Sequence, residues 1–267
     1  MDLGVDLAAL TGSGPNGLIL RNDVETAAAV LASAPTSAEA GSTGHGSTEV
    51  TPIRRAIARR LTLSAQSVPQ FSLDAHLDAR AARAIVNGDL PGLTYTHLVL
   101  RSVARALREH PAMLRIWSDE GPSYTVIDSP HVGLAVASDE ALYVITILEP
   151  DRGSLRELVS TTAAAVERAR SRRLSPADQE PASFTVSTLG GFGVESFRAI
   201  VDPDQTAILA VGAAQENVVG DNGAIRLIPQ IAVSLSCDHR AVDGAQAARF
   251  LRTFKEVFET DPAGAVA

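Results

Sequence analysis

Eleven residues, Ser234 to Gly244, hold the side chains best placed for chemistry: Ser-Leu-Ser-Cys-Asp-His-Arg-Ala-Val-Asp-Gly. His239 ends an apolar run, Asp243 follows four residues on, and a helix-like stretch runs from Ala245 to Phe258. The spacing presents one imidazole at a strand-to-helix boundary. Imidazole is the side chain best suited to take a proton near neutral pH. A histidine in that place can also simply end a strand and bond a nearby carbonyl. Asp243 can fold back toward the ring, or cap the helix that it precedes, where aspartate is favoured; the two roles can coexist. Cys237 stands two residues before His239, so on a strand both point the same way, and a Cys–His dyad is conceivable. A second constellation is Ser183–Gly193, Ser-Phe-Thr-Val-Ser-Thr-Leu-Gly-Gly-Phe-Gly, with Ser187 at its centre. It has no Gly-x-Ser-x-Gly elbow for a serine nucleophile. Gly190, Gly191 and Gly193 are not followed by Lys-Ser/Thr, so they suit a tight turn and not a phosphate loop.

These side chains must be positioned by the elements around them. Ile53–Leu63, Thr94–Glu109 and Leu155–Arg172 carry apolar residues at helical spacing, and a last helix begins near Asp243. Phe71–Leu77 reads as extended. Tyr124–Ile127, His131–Ala137, Leu142–Leu148, Phe184–Ser187, Ala207–Val211 and Ile225–Ser236 read as strands separated by turn residues. Strands with helices between them, without strict alternation, predict an α/β or α+β sandwich. Three regions are expected: a small motif over 1–33 with turn chemistry from Gly12 to Gly17 and a short helix capped by Asn22 or Asp23; a Ser/Thr/Ala/Gly-rich flexible linker over 34–50; and the main domain over 51–267.

Composition bounds the function. The chain has 267 residues, a net charge of −8 and a single cysteine. That length supports a substantial core. The acidic balance argues against nucleic acid, and the Arg54-Arg55, Arg59-Arg60 and Arg168–Arg173 clusters read as solvated helix faces. One cysteine excludes an intramolecular disulfide and a cysteine-based zinc site. No run of about 18 apolar residues predicts a membrane span, no signal peptide is visible, and a cytoplasmic protein is expected.

The pattern His-x-x-x-Asp-Gly, preceded by Ser-x-Ser-x-Asp, resembles the signature of the dihydrolipoyl acyltransferase and chloramphenicol acetyltransferase superfamily. The match runs through Ser234, Ser236, Asp238, Arg240, Val242, Asp243, Gly244, Ala245 and Ala248 to Arg249-Phe250-Leu251. Ser183–Gly193 is similar to the family's Phe-Thr-x-Ser-Asn-Leu-Gly segment, with Thr188 in place of the asparagine. Ile200–Gly212, Ile57–Leu61, Val68–Phe71 and His110-Pro111 match as well. The resemblance implies an α/β, chloramphenicol-acetyltransferase-like two-layer sandwich with a mixed sheet, plus a small degenerate N-terminal helical motif. It implies that His239 is the general base and deprotonates a thiol or hydroxyl that attacks the thioester of acetyl-CoA or another acyl-CoA. It implies that Ser187 donates a hydrogen bond to the oxyanion, that Asp243 orients the site through an arginine contact, and that Thr94, Thr188 and Gly212 serve the cofactor. No metal is expected. A trimer or larger assembly is expected, with the histidine of one subunit facing a channel completed by the next.

Some residues depart from the family pattern: Ala137, Ala141–Ile145, Ala182-Ser183 and Met113–Ile116. They surround the channel and leave the base and the oxyanion donor alone. The motif over 1–33 resembles a peripheral-subunit-binding domain that lacks its first helix and has Leu18 where an arginine is usual. No Asp-Lys-Ala swinging-arm turn occurs, so no lipoyl group is expected on this chain. The preferred expectation is a stand-alone enzyme that acetylates a hydroxyl of a small-molecule acceptor, such as a natural-product tetronate alcohol. The alternative is the catalytic core of a 2-oxo acid dehydrogenase complex, and a third reading is a non-enzymatic scaffold on the same fold.

Overall fold

Alternating and continuous apolar runs become the strands that carry the site. In chain order they are β1 (Gln70–Asp78), β2 (Arg115–Ser118), β3 (Ser123–Val126), β4 (Val132–Ala137), β5 (Leu142–Ile147), β6 (Phe184–Thr188), β7 (Ala207–Asp221) and β8 (Ala224–Asp238). The computed structural model describes residues 49–264, apart from 122, 139, 140 and 222, together with Val24. The expected motif over 1–33 and nearly all of the linker over 34–50 lie outside the described residues. Val50–Ala267 forms one unit.

Six strands form a mixed sheet in the order β1-β8-β7-β6-β4-β5, and β2 and β3 form a separate hairpin. The pairs β4/β6 and β6/β7 are parallel, whereas β1/β8, β7/β8 and β4/β5 are antiparallel. Phe184, Val186, Leu209 and Leu134 in the parallel centre are buried, as parallel strands covered by helices require.

Among the described residues from 50 onward, five α-helices accompany the sheet: α1 (Pro52–Ser67), α2 (Arg80–Val86), α3 (Tyr95–Glu109), α4 (Leu155–Arg170) and α5 (Gly244–Thr260). In α5, Ala247, Phe250, Leu251, Phe254 and Phe258 are buried at helical spacing. The Phe250 ring meets that of Phe184 at 5.2 Å. Truncating one such phenylalanine costs about 3–5 kcal/mol. Ser154 and Glu157 form a capping box that starts α4. Arg101 of α3 is buried, and its guanidinium donates to the carbonyls of Pro150, Gly153 and Ala263 at 3.1, 2.9 and 3.0 Å. A buried charge needs that compensation.

The strand expected over Ala207–Val211 runs on to Asp221. A bulge between Val211 and Ala214 lets it continue, and residues 214–221 pair with 224–231 as the arm of a long hairpin. β2 and α2 were not anticipated from the sequence.

Candidate active site

The turn that carries His239 begins where β8 ends. The buried Asp238 carboxylate accepts from Arg240 Nε at 3.0 Å, from Nη2 at 2.9 Å and from the Arg240 backbone N–H at 2.9 Å. The backbone N–H groups of Ala241 and Val242 both donate to the Asp238 carbonyl at 3.1 Å. Arg240 also bonds Asp119 at 3.0 Å and lies over the Trp117 ring, which β2 supplies. His239 donates its backbone N–H to Pro69 O at 2.9 Å, and its ring lies 4.8 Å from that of Phe71. The imidazole is exposed and has no side-chain hydrogen bond among the described residues.

Asp243 ends the turn as the cap of α5. Its Oδ1 accepts from the Gln246 N–H at 2.7 Å, and Gln246 Oε1 accepts from the Asp243 N–H at 3.0 Å. The carboxylate therefore serves the helix end, and it makes no bond to His239 or to an arginine among the described residues. The cap draws the carboxylate because the first-turn N–H groups of a helix have no partner within the helix. Cys237 is buried in the core, and burial pushes its thiol up to about 12. A thiol so held does not ionise near neutral pH, which corrects the Cys–His dyad reading.

Ser187 lies near the C-terminal end of β6, half-buried, on the wall of a cavity of about 510 Å³. Thr94, His97, Thr188 and Arg170 also reach this cavity, and Leu134, Val136, Leu142, Val159 and Phe192 make its apolar walls. Thr94, Thr188 and Gly212 all line an adjoining cavity of about 530 Å³. The three residues expected to serve the cofactor are thus brought together, on the Ser187 side. Gly212 has a structural reason as well: a Cβ there would lie 1.8 Å from the Glu195 carbonyl oxygen. Ala137, one of the departures from the family pattern, lies on the Ser187 cavity. His97 and Arg170 were missed. The signal for His97 was its place three residues after Thr94, where a capping-box partner stands.

His239 lines neither cavity. In the sheet register Phe184 aligns with Ala207, and Ala207 with Cys237. Ser187 lies three residues above that level and His239 two residues below it, because β8 runs opposite to β6. At about 3.3 Å per residue and about 4.8 Å between strands, their Cα atoms stand roughly 16 Å apart along the strands and roughly 10 Å across them. The two side chains of one protomer cannot meet at one carbonyl. Among the described residues, no group of three His, Cys, Asp or Glu side chains could hold a metal ion, and no helix is long and apolar enough to cross a membrane.

Known proteins give this geometry its family. The family described as 2-oxoacid dehydrogenases acyltransferase (catalytic domain) matches residues 43–266, and the e3 binding domain matches residues 1–25. The dihydrolipoyllysine-residue acetyltransferase component of the pyruvate dehydrogenase complex of Rhizobium meliloti is 34% identical, over 97% of this chain and 64% of that protein. The chain therefore spans just under two thirds of that relative's length. A structure of the Azotobacter vinelandii dihydrolipoamide acetyltransferase superposes with a TM-score of 0.75 at 29% identity, covering 81% of this chain and 92% of that one. That work addressed the role of one serine, one histidine and one asparagine in the catalytic mechanism. The cubic core of the pyruvate dehydrogenase multienzyme complex superposes with a TM-score of 0.72 at 28% identity, covering 81% and 92%. Chloramphenicol acetyltransferase, 14% identical, shares the two-layer fold alone. These findings overturn the expectation of a stand-alone enzyme acetylating a natural-product hydroxyl, because the similar proteins are acetyltransferases of dehydrogenase complexes. The changes at Ala137 and within Ala141–Ile145 had suggested a new acceptor, yet they fall inside the family match. Matched over residues 43–266 and similar over 97% of its length to a dehydrogenase-complex acetyltransferase, the chain belongs to the 2-oxo acid dehydrogenase acyltransferase family.

Proposed function

We propose that residues 51–267 form the catalytic core of a 2-oxo acid dehydrogenase complex and move an acyl group between dihydrolipoamide and CoA. The observation that carries this reading is a spacing. Ser187, His239 and Asp243 stand 52 and then 4 residues apart, as do the serine, histidine and asparagine studied in the Azotobacter vinelandii enzyme. In the forward step His239 takes the proton from the attacking thiol, and the sulfur adds to the thioester carbonyl. The carbonyl oxygen becomes an oxyanion, to which the Ser187 hydroxyl donates. Collapse restores the carbonyl, and the departing thiolate recovers the proton from His239. Asp243 holds the start of α5, and so the end of the His239 turn, and takes no proton itself.

Because Ser187 and His239 lie at opposite ends of the sheet, the site is composite: Ser187 and its cavity come from one subunit, and His239 from another. A closed trimer, or a larger assembly of trimers, supplies that arrangement. Phe192 at the cavity is 79% exposed in the single chain, as expected of a wall that a neighbour covers. Thr94, Thr188 and Gly212 flank the CoA end of the channel. The N-terminal segment over 1–33 docks the partner enzyme through its e3-binding-domain likeness.

Purified protein is assayed for acetyl transfer from acetyl-CoA to dihydrolipoamide. Transfer should be efficient in the wild type. It should fall about 10²–10⁴-fold in His239→Ala and about 10²–10³-fold in Ser187→Ala, with little change in CoA affinity. Near-normal transfer by His239→Ala, or none by the wild type, would overturn the reading.

A further inference from the structure

The cavity beside Ser187 is lined by His97, a polar group that the mechanism leaves unused. His97 sits in the first turn of α3 and is 7% exposed. Its Nδ1 accepts the backbone N–H of Thr94 at 3.1 Å, and the Thr94 hydroxyl oxygen lies 2.9 Å from the same nitrogen. A ring nitrogen that accepts an amide hydrogen carries no proton, so the neutral ring bears its hydrogen on Nε2. Burial holds His97 below the usual histidine range, which favours that neutral form. Nε2 has no partner among the described residues, although His97 lines the cavity. An N–H on the cavity wall that no protein group accepts is free to donate to a bound acceptor.

The surroundings narrow what that acceptor is. Ser187, Thr188, Thr96 and Thr162 stand on the same cavity, the exposed Arg170 reaches it, and Leu134, Val136, Val159 and Phe192 make the rest of its walls apolar. An uncharged oxygen carried on a hydrocarbon chain fits a single N–H donor in such a setting, and an amide carbonyl is the strongest acceptor of that kind. We propose that the His97 Nε2–H donates to an amide carbonyl of the thiol-bearing arm bound beside Ser187. This rests on the acyl-transfer reading above. The pantetheine arm of CoA and the lipoyl arm share that chemistry: an alkyl chain, an amide and a terminal thiol.

Two substitutions separate the capping role from the donor role. In His97→Asn the amide oxygen takes the place of Nδ1 and keeps the Thr94 bond, but nothing stands at Nε2. In His97→Gln an amide N–H reaches the Nε2 position, and glutamine is an ordinary residue there in a capping box. Initial rates are measured on the assembled protein with acetyl-CoA and dihydrolipoamide varied in turn. His97→Asn should raise the KM of one substrate roughly five- to ten-fold, the value of one neutral hydrogen bond, with a smaller change in kcat. His97→Gln should bring that KM back to within about three-fold. The substrate whose KM rises identifies the arm. Both KM values unchanged in folded His97→Asn, or a fall in kcat alone, would overturn the proposal. Should His97→Asn fail to fold, His97→Gln is compared with His97→Met, which has the same reach and no N–H, and equal KM values in that pair would overturn it. Loss of transfer in the wild type would instead sink the acyl-transfer reading.

Discussion

Arg240→Ala tests how the His239 turn is held. Asp238 is 1% exposed, and three of its contacts come from the Arg240 side chain or backbone at 2.9–3.0 Å. Breaking a buried ion pair by removing one partner costs about 3–5 kcal/mol. Here the carboxylate keeps the Arg240 backbone N–H, a charge-assisted bond that remains in the alanine variant. The contact to Asp119 adds little, since Asp119 is 74% exposed. The expected loss is therefore about 2–3 kcal/mol, which for a domain of this size lowers Tm by roughly 5–10 °C. Function should suffer beyond stability. The turn from Asp238 to Asp243 sets the imidazole, and a displacement of about 1 Å at a reacting group can cost about 10²-fold. Thermal melts and acetyl-transfer rates below the transition of the variant measure both effects. Arg240→Lys should recover the charge but not the fork, and so only part of either loss. A Tm and kcat within error of the wild type in Arg240→Ala would refute the argument that this pair builds the site.

Two further outcomes follow from the geometry. Gly212→Ala should destabilise the fold by about 2–3 kcal/mol or more, because the Glu195 carbonyl occupies the space of a Cβ; an unaltered denaturant midpoint would contradict the close approach. Asp178 is clasped by Arg168 at 2.6 and 2.8 Å and by the Ser175 N–H, and the Arg168 bond holds its carboxyl well below the usual range. Its folded pKa is depressed, so its contribution is present above the unfolded value near 4 and is lost as pH falls below it. Asp178→Asn should be less stable at pH 7 and should lose less stability between pH 4 and pH 2. A parallel shift of both acid-unfolding curves would count against that linkage.

Much of this architecture is legible in the sequence, because burial on one face forces periodicity. The Phe250, Phe254 and Phe258 stripe and the apolar runs of β4, β6 and β8 follow from it directly. β7 beyond Val211 was missed because Gly212 interrupts the apolar run and the hairpin arm is largely exposed, with Val218, Ile225 and Leu227 facing outward. β2 is four residues long and pairs only with β3, so no core imposed a pattern on it. Ser187, His239 and Asp243 were named from their motifs, and the resemblance implied that the histidine faces a neighbour's channel, but the residues' own spacing did not contain that relation. Their separation depends on strand order and on the antiparallel run of β8, which a linear spacing does not contain. Asp243 was open between two roles, and local geometry decided for the cap. His97 was hidden because a histidine in a capping position reads as a helix start, and only the cavity reveals its second nitrogen.

The central claim is that one active site draws Ser187 and His239 from different subunits. Co-expression of Ser187→Ala and His239→Ala chains in equal amounts, followed by purification of the mixed assemblies, tests it directly. Each variant alone should be nearly inactive. A closed trimer that contains both variants has one interface in three that unites an intact serine with an intact histidine, so mixed trimers should regain about a third of wild-type transfer from acetyl-CoA to dihydrolipoamide, or about a quarter when randomly formed unmixed trimers are included. Mixed assemblies no more active than the two variants assayed apart would place both residues in one subunit's site and contradict the account.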